Sequence, residues 1–188
     1  MKKSLFISLI IFASFLFFGC TEPIENYPFW EKEYFKDLTL SVNLQLDEGE
    51  YDYAVKKNQQ ITLKLSGKVD PSEYGDLAVL LTVYKKTSNY DYDAYSNYIV
   101  SNSEELNLKK NNDMCTFLIP LNKKSLNEID KEIQFSFSEA GRYRVNVYVD
   151  SAPRGYTEDD IACFDVNHGY LEDSFFFVVK GEINKDEE

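Results

Sequence analysis

Residues 133–150 read IQFSFSEAGRYRVNVYVD. Ile133, Phe135 and Phe137 occupy one parity, and Tyr143, Val145, Val147 and Val149 occupy one parity after a short break. Successive side chains of a strand point to opposite faces, so each run makes a strand with a buried side and a wet side. Glu139-Ala140-Gly141 supplies the turn between them.

The same period of two extends in both directions. Leu38, Leu40, Val42, Leu44 and Leu46 alternate with Asp37, Thr39, Ser41, Asn43 and Gln45, and Ile61, Leu63 and Leu65 alternate with Thr62, Lys64 and Ser66. Asp70-Pro71 marks a turn. Leu77 to Tyr84 is apolar on both parities, as a central strand covered on both faces would be. Cys115, Phe117, Ile119 and Leu121 give another strand, Phe175 to Val179 a last one, and Tyr98–Val100 and Leu106–Leu108 two weaker runs. With no long helical pattern between strands and no internal repeat, α/β folds, solenoids and propellers are excluded. The chain is expected to be all-β, one two-sheet antiparallel sandwich over residues 37–181 with an acidic tail at 182–188.

An acidic residue, Ala-Gly, any residue and then a tyrosine, as in Glu139-Ala140-Gly141-Arg142-Tyr143, resembles the corner between the fifth and sixth strands of immunoglobulin-like sandwiches. It also resembles the late part of polycystic-kidney-disease-type domains, which share the architecture. The resemblance implies that the Tyr143 ring is buried and that its hydroxyl returns to nearby backbone.

The first twenty residues read as an address. Lys2 and Lys3 precede an uncharged, apolar run from Leu5 to Phe18, too short to span a bilayer core of about 30 Å but suited to a signal peptide. Leu16-Phe17-Phe18-Gly19-Cys20 resembles the lipobox of bacterial lipoproteins, in the looser form found in Bacteroidota. The resemblance implies a signal peptide at 1–19, cleavage before Cys20 and acylation of its thiol. Thr21 in place of Asp is similar to outer-membrane sorting signals. Residues 20–36 would then be a lipidated tether, with Trp30, Tyr34 and Phe35 on one side of a helical turn. Two or three acyl chains hold a protein stably, so membrane attachment runs through the lipid anchor.

Outside the cytoplasm thiols tend to oxidise, which leaves Cys115 and Cys163 either as a disulfide or as two separate buried thiols.

The chain of 188 residues carries 20 Lys+Arg against 32 Asp+Glu, a formal charge of −12. That balance argues against nucleic acid as a partner, because phosphate binding needs clustered basic side chains. A single histidine, His168, removes most metal and acid–base sites, and no catalytic serine elbow, zinc-protease motif or phosphate-binding loop occurs. Cys163 and His168 are five residues apart, on opposite faces of a strand. Acidic loops at Asp47–Asp52, Asp91–Asp93 and Glu158–Asn167 have calcium-ligand chemistry but none fits an EF-hand loop. No cofactor and no metal is expected.

One segment stands out by composition. YDYDAYSNY, residues 90–98, sets Tyr90, Tyr92, Tyr95 and Tyr98 among Asp and Asn. Tyrosines of a binding surface offer contact area with little rotamer entropy to lose, and a sugar ring stacked on them is one use. Rings that cover a sheet edge are the other. The expected function is a non-catalytic binding module, anchored by lipid in the cell outer membrane, with an envelope protein or a glycan as partner. The rivals are a small envelope hydrolase using paired carboxylates and a structural or adhesin subunit.

Overall fold

The computed structural model describes residues 37–71, 75–161 and 171–181. In chain order the strands are β1 (Thr39–Val42), β2 (Tyr53–Lys56), β3 (Ile61–Val69), β4 (Gly75–Lys86), β5 (Tyr92–Ala94), β6 (Tyr98–Val100), β7 (Lys109–Asn111), β8 (Met114–Ile119), β9 (Asn127–Phe137), β10 (Gly141–Pro153) and β11 (Leu171–Lys180). A four-residue helix, α1 (Glu158–Ile161), lies between β10 and β11. The smaller sheet has the order β1-β3-β9-β6, and the larger has β2-β11-β10-β4-β8-β7 with β5 also on β4. Every pairing is antiparallel except β2 with β11. This is an immunoglobulin-like two-sheet sandwich.

Parity decides the core. Ile61, Leu63, Leu65, Ile133, Phe135 and Phe137 from the small sheet meet Leu77, Val79, Leu81, Phe117, Val145, Val147, Phe175 and Phe177 from the large one, all buried. Burying one such side chain contributes roughly 1.5–3 kcal/mol. The chain changes sheets between β9 and β10, at the turn the sequence marked. Tyr143 is fully buried there, and its Oη donates to the Glu139 carbonyl at 3.0 Å. Its ring stacks on Phe137 with centroids 4.2 Å apart.

Some elements differ from expectation. The first strand ends at Val42 instead of running to Leu46, which is 46% exposed. Asn43 ends it, because its Oδ1 takes the Thr62 amide that a continuing strand would need. Leu106–Leu108 is turn and not strand; Leu106 and Leu108 donate back to Asn102 and Ser103, with Asn107 between them at φ 50°. The segment after β10 holds α1, capped by reciprocal bonds between Thr157 and Asp160.

The large sheet also buries part of its outer face. Ala78, Leu80 and Ala152 form a second small cluster with Met114, Leu118 and Tyr148. The chain after β10 holds this end closed. Arg154 donates to Asp76 at 2.9 Å and to the Leu121 carbonyl at 2.7 Å, and Thr116 Oγ1 donates to the Glu158 carbonyl at 3.0 Å.

Candidate functional site

The tyrosine segment divides. Tyr90 stands at a hairpin tip, 94% exposed, and Tyr92 is half-buried on β5. Tyr95 and Tyr98 are core residues, so of the two uses open to this segment these rings take the covering one and not the ligand-facing one. The cause is topological. β5 belongs to the large sheet and β6 to the small one, so residues 95–97 carry the chain across the side of the sandwich. Tyr95 and Tyr98 fill the gap at that crossing, where Tyr95 packs edge-on against Tyr143 with centroids 5.0 Å apart. Lys110 ties the crossing down, with Nζ donating to the carbonyls of Ser96 and Tyr98 and lying 3.8 Å from the Tyr98 ring centre. Burial pulls its pKa below the ordinary lysine value.

Cys163, the other half of the expected pair, lies outside the described residues, and Cys115 is a buried thiol with no disulfide partner among them. Its Sγ lies 2.9 Å from Tyr98 Oη, and burial pushes the thiol pKa up. A raised pKa keeps the thiol protonated and poorly nucleophilic. Cys20, Cys163 and His168, with the tether and the tail, lie outside the described residues.

The acidic residues do not converge. Among the described residues no three His, Cys, Asp or Glu side chains gather to hold a metal ion. A cleft of about 230 Å³ beside β9 is lined by Asn102, Glu105, Leu106, Asp130, Lys131, Glu132 and Gln134. Asp130 is already paired with Lys64 at 2.8 Å, and Asn102 donates to the Glu132 carbonyl and accepts from the Gln134 amide, filling the place of a strand on that edge. Two carboxyls elsewhere are displaced, both downward. Glu139 is held low by its hydrogen bond and charge interaction with Lys85, and Asp160 by the hydrogen bonds from Thr157.

The site emerges on the outer face of the large sheet, at the end away from the Arg154 clamp. β4 presents Thr82, Tyr84 and Lys86 on the outward parity, β10 presents Arg142, Arg144 and Asn146, and β11 presents Ser174 and Phe176. Register places Tyr84 opposite Arg144, Arg144 opposite Phe176, and Asn146 between Thr82 and Ser174. β5 adds Tyr92 opposite Lys86. The Arg144 guanidinium therefore lies over two rings, 4.9 Å from the centre of Tyr84 and 5.1 Å from that of Tyr92. Such contacts contribute about 0.5–2 kcal/mol each and fix the group in place.

What Arg144 lacks is an anion. Its Nε is buried without a hydrogen-bond partner, and none of the ion pairs among the described residues involves it. Thr82 Oγ1, on the neighbouring strand, is buried and unpaired as well. An unsatisfied buried polar group costs about 1–3 kcal/mol, more when charged. A shallow depression of about 400 Å³ is lined by Lys86, Thr87, Ser88, Asn89 and Arg142, and Arg142 stands two residues before Arg144 on β10. The hairpin that walls it is fixed by Thr87 N–H donating to the Asp91 carbonyl and by Ser88 Oγ donating to the Asp91 carboxylate. Arg142 has only a loose partner, Asp52 at 3.7 Å. The strand pattern already put Arg142 and Arg144 outward; two arginines on one wet face of a chain this acidic were the signal for the site.

Fold and surface together define a β-sandwich domain with a cationic, ring-lined patch on one sheet. No family model and no curated protein matches the chain. Among solved structures it is similar to the DNA-binding domain of Caenorhabditis elegans Cep-1, at 11% identity over 61% of this chain and 74% of that one, with a TM-score of 0.39. The reeler domain of human F-spondin matches at 12% identity over 75% and 89% of the two chains, TM-score 0.38. A PapD-like domain of human CEP192 matches at 12% over 86% and 94%, TM-score 0.35. At TM-scores below 0.5 these likenesses carry no conclusion about this chain.

Proposed function

We propose that this chain is a non-catalytic binding module, displayed on the bacterial outer membrane by a lipid on Cys20, that meets its ligand with the outer face of the large sheet. In this reading residues 1–19 are the signal peptide, 20–36 the tether and 182–188 a solvated acidic tail. The observation that carries the binding role is Arg144, pinned between Tyr84 and Tyr92 with no anionic partner among the described residues. The lipobox-like Leu16–Cys20 supports the anchor.

Two experiments test the two halves. Labelled fatty acid should enter the wild-type protein and not Cys20→Ala, and protease added to intact cells shows which side the domain faces. Crosslinked pull-downs from intact cells should recover a cell-envelope component with wild type and lose it with Arg144→Ala. Recovery unchanged in Arg144→Ala would move binding away from this face.

A further inference from the structure

We propose that the patch around Arg144 is a carboxylate subsite, and that the ligand is an acidic saccharide whose ring lies along the hairpin of Thr87 to Asp91. This rests on the binding-module reading above and names the ligand class.

Charge comes first. The chain carries −12 overall, yet Lys86, Arg142 and Arg144 share one face, and Lys86 forms none of the ion pairs among the described residues. Three cations on one face of an acidic chain, with Asp52 beside Arg142 and Asp91 on the hairpin, give an acidic ligand groups to meet. Geometry comes second. A guanidinium already held by two rings presents its planar fork to a carboxylate with little further ordering cost, and Arg–carboxylate pairs are commonly bidentate.

The shape of the surface selects among anions. The depression of about 400 Å³ lies within the range of small-ligand sites, roughly 300–1,000 Å³. Its lining residues carry an ammonium, a guanidinium, two hydroxyls and an amide. Hydroxyls and amides suit a saccharide, and Tyr90, 94% exposed at the same hairpin, supplies a free ring for stacking. In this arrangement the carboxylate belongs to the sugar and the cations to the protein.

The test uses full-length protein in detergent, titrated calorimetrically with tetragalacturonate, a hyaluronan tetrasaccharide, the methyl ester of tetragalacturonate, a neutral cellotetraose and a hexaglutamate peptide. At least one uronate oligomer should bind, its affinity falling with added salt, while the ester and cellotetraose do not. Arg144→Met should weaken binding about tenfold or more, as expected for loss of a charge-assisted pair. Arg144→Lys should recover only part of it, and Tyr90→Ala should also weaken binding. Thermal melts of each variant control for folding. Equal binding of uronate and ester overturns the carboxylate subsite, binding of hexaglutamate in place of the uronates overturns the saccharide class, and silence from every probe overturns the inference. The pull-down with Arg144→Ala decides the binding-module reading separately, because it presupposes no ligand class.

Discussion

Removing one oxygen atom from Tyr143 tests whether the corner between β9 and β10 is tied as the structure shows. Tyr143→Phe keeps the ring, so the stack on Phe137 and the edge contact with Tyr95 remain and no cavity opens. What goes is the bond of 3.0 Å from Oη to the Glu139 carbonyl. A net hydrogen bond is worth about 0.5–1.5 kcal/mol. Glu139 is exposed at the turn, so water can reach the released carbonyl and the loss stays near the middle of that range. The expected cost is about 1 kcal/mol, or a melting temperature lower by roughly 2–4 °C for a chain of this size. Tyr143→Leu removes the ring as well and should cost about 3 kcal/mol or more, as large-to-small changes in a packed core do. Urea unfolding of the three proteins, followed by tyrosine fluorescence, gives the differences directly. Wild-type stability in Tyr143→Phe would show that the hydroxyl ties nothing. A loss as large as that of Tyr143→Leu would show that the hydroxyl and not the ring carries the corner, which contradicts the packing described here.

Three further outcomes follow from the fold. Gly67, at φ 146°, would place an added Cβ 2.0 Å from the Asp37 carbonyl oxygen, so Gly67→Ala should lose at least the roughly 1–3 kcal/mol of backbone strain and show it in urea unfolding; an unaffected midpoint would mean β1 does not lie where it is drawn. Cys115 should resist iodoacetamide in native protein and react only after denaturation, read by peptide mass mapping; rapid native labelling would contradict its burial. Glu139 is held below the ordinary glutamate pKa of about 4.3, so the stability it lends is present above that pH and is lost as the pH falls through its lower folded value. Glu139→Gln should flatten that part of the acid limb, and a limb unchanged by the substitution would mean Lys85 does not pair with it.

The fold was legible because burial here is a matter of parity. Leu63, Leu65, Ile133 and Phe135 alternate inward with polar neighbours outward, and the both-sided apolar run from Leu77 became β4, paired along its whole length with β10. β2, β5 and β7 escaped notice because each buries one side chain at most, which leaves no inward parity to read. Composition misled at Tyr95 and Tyr98. Four tyrosines among Asp and Asn describe equally a binding loop and a strand crossing between sheets, and only the pairing of β5 with β4 and β6 with β9 separates the two. Arg144 was legible as an outward side chain but not as a site, since a guanidinium without a partner is defined by what fails to surround it, which a linear pattern does not record.

Three cations outside the proposed binding patch on the outer face of the large sheet are engaged within the domain. At the other end of the same face, Arg154 is engaged by Asp76 and by the Leu121 carbonyl, so its charge is spent in closing the chain over Ala78 and Leu80. On the small sheet the outward Lys64 is paired with Asp130, and Gln60 with Gln134. Lys85, one residue from Lys86 but on the inward parity, is paired with Glu139 and lies within 6 Å of the Tyr95 and Tyr143 rings. Among the described residues Arg144 and Lys86 form no ion pair, unlike these three, and of the two only Arg144 is also held between rings. A half-buried arginine held by two rings and left unpaired costs stability that a solvated side chain would not, and a ligand carboxylate is the group that would repay it.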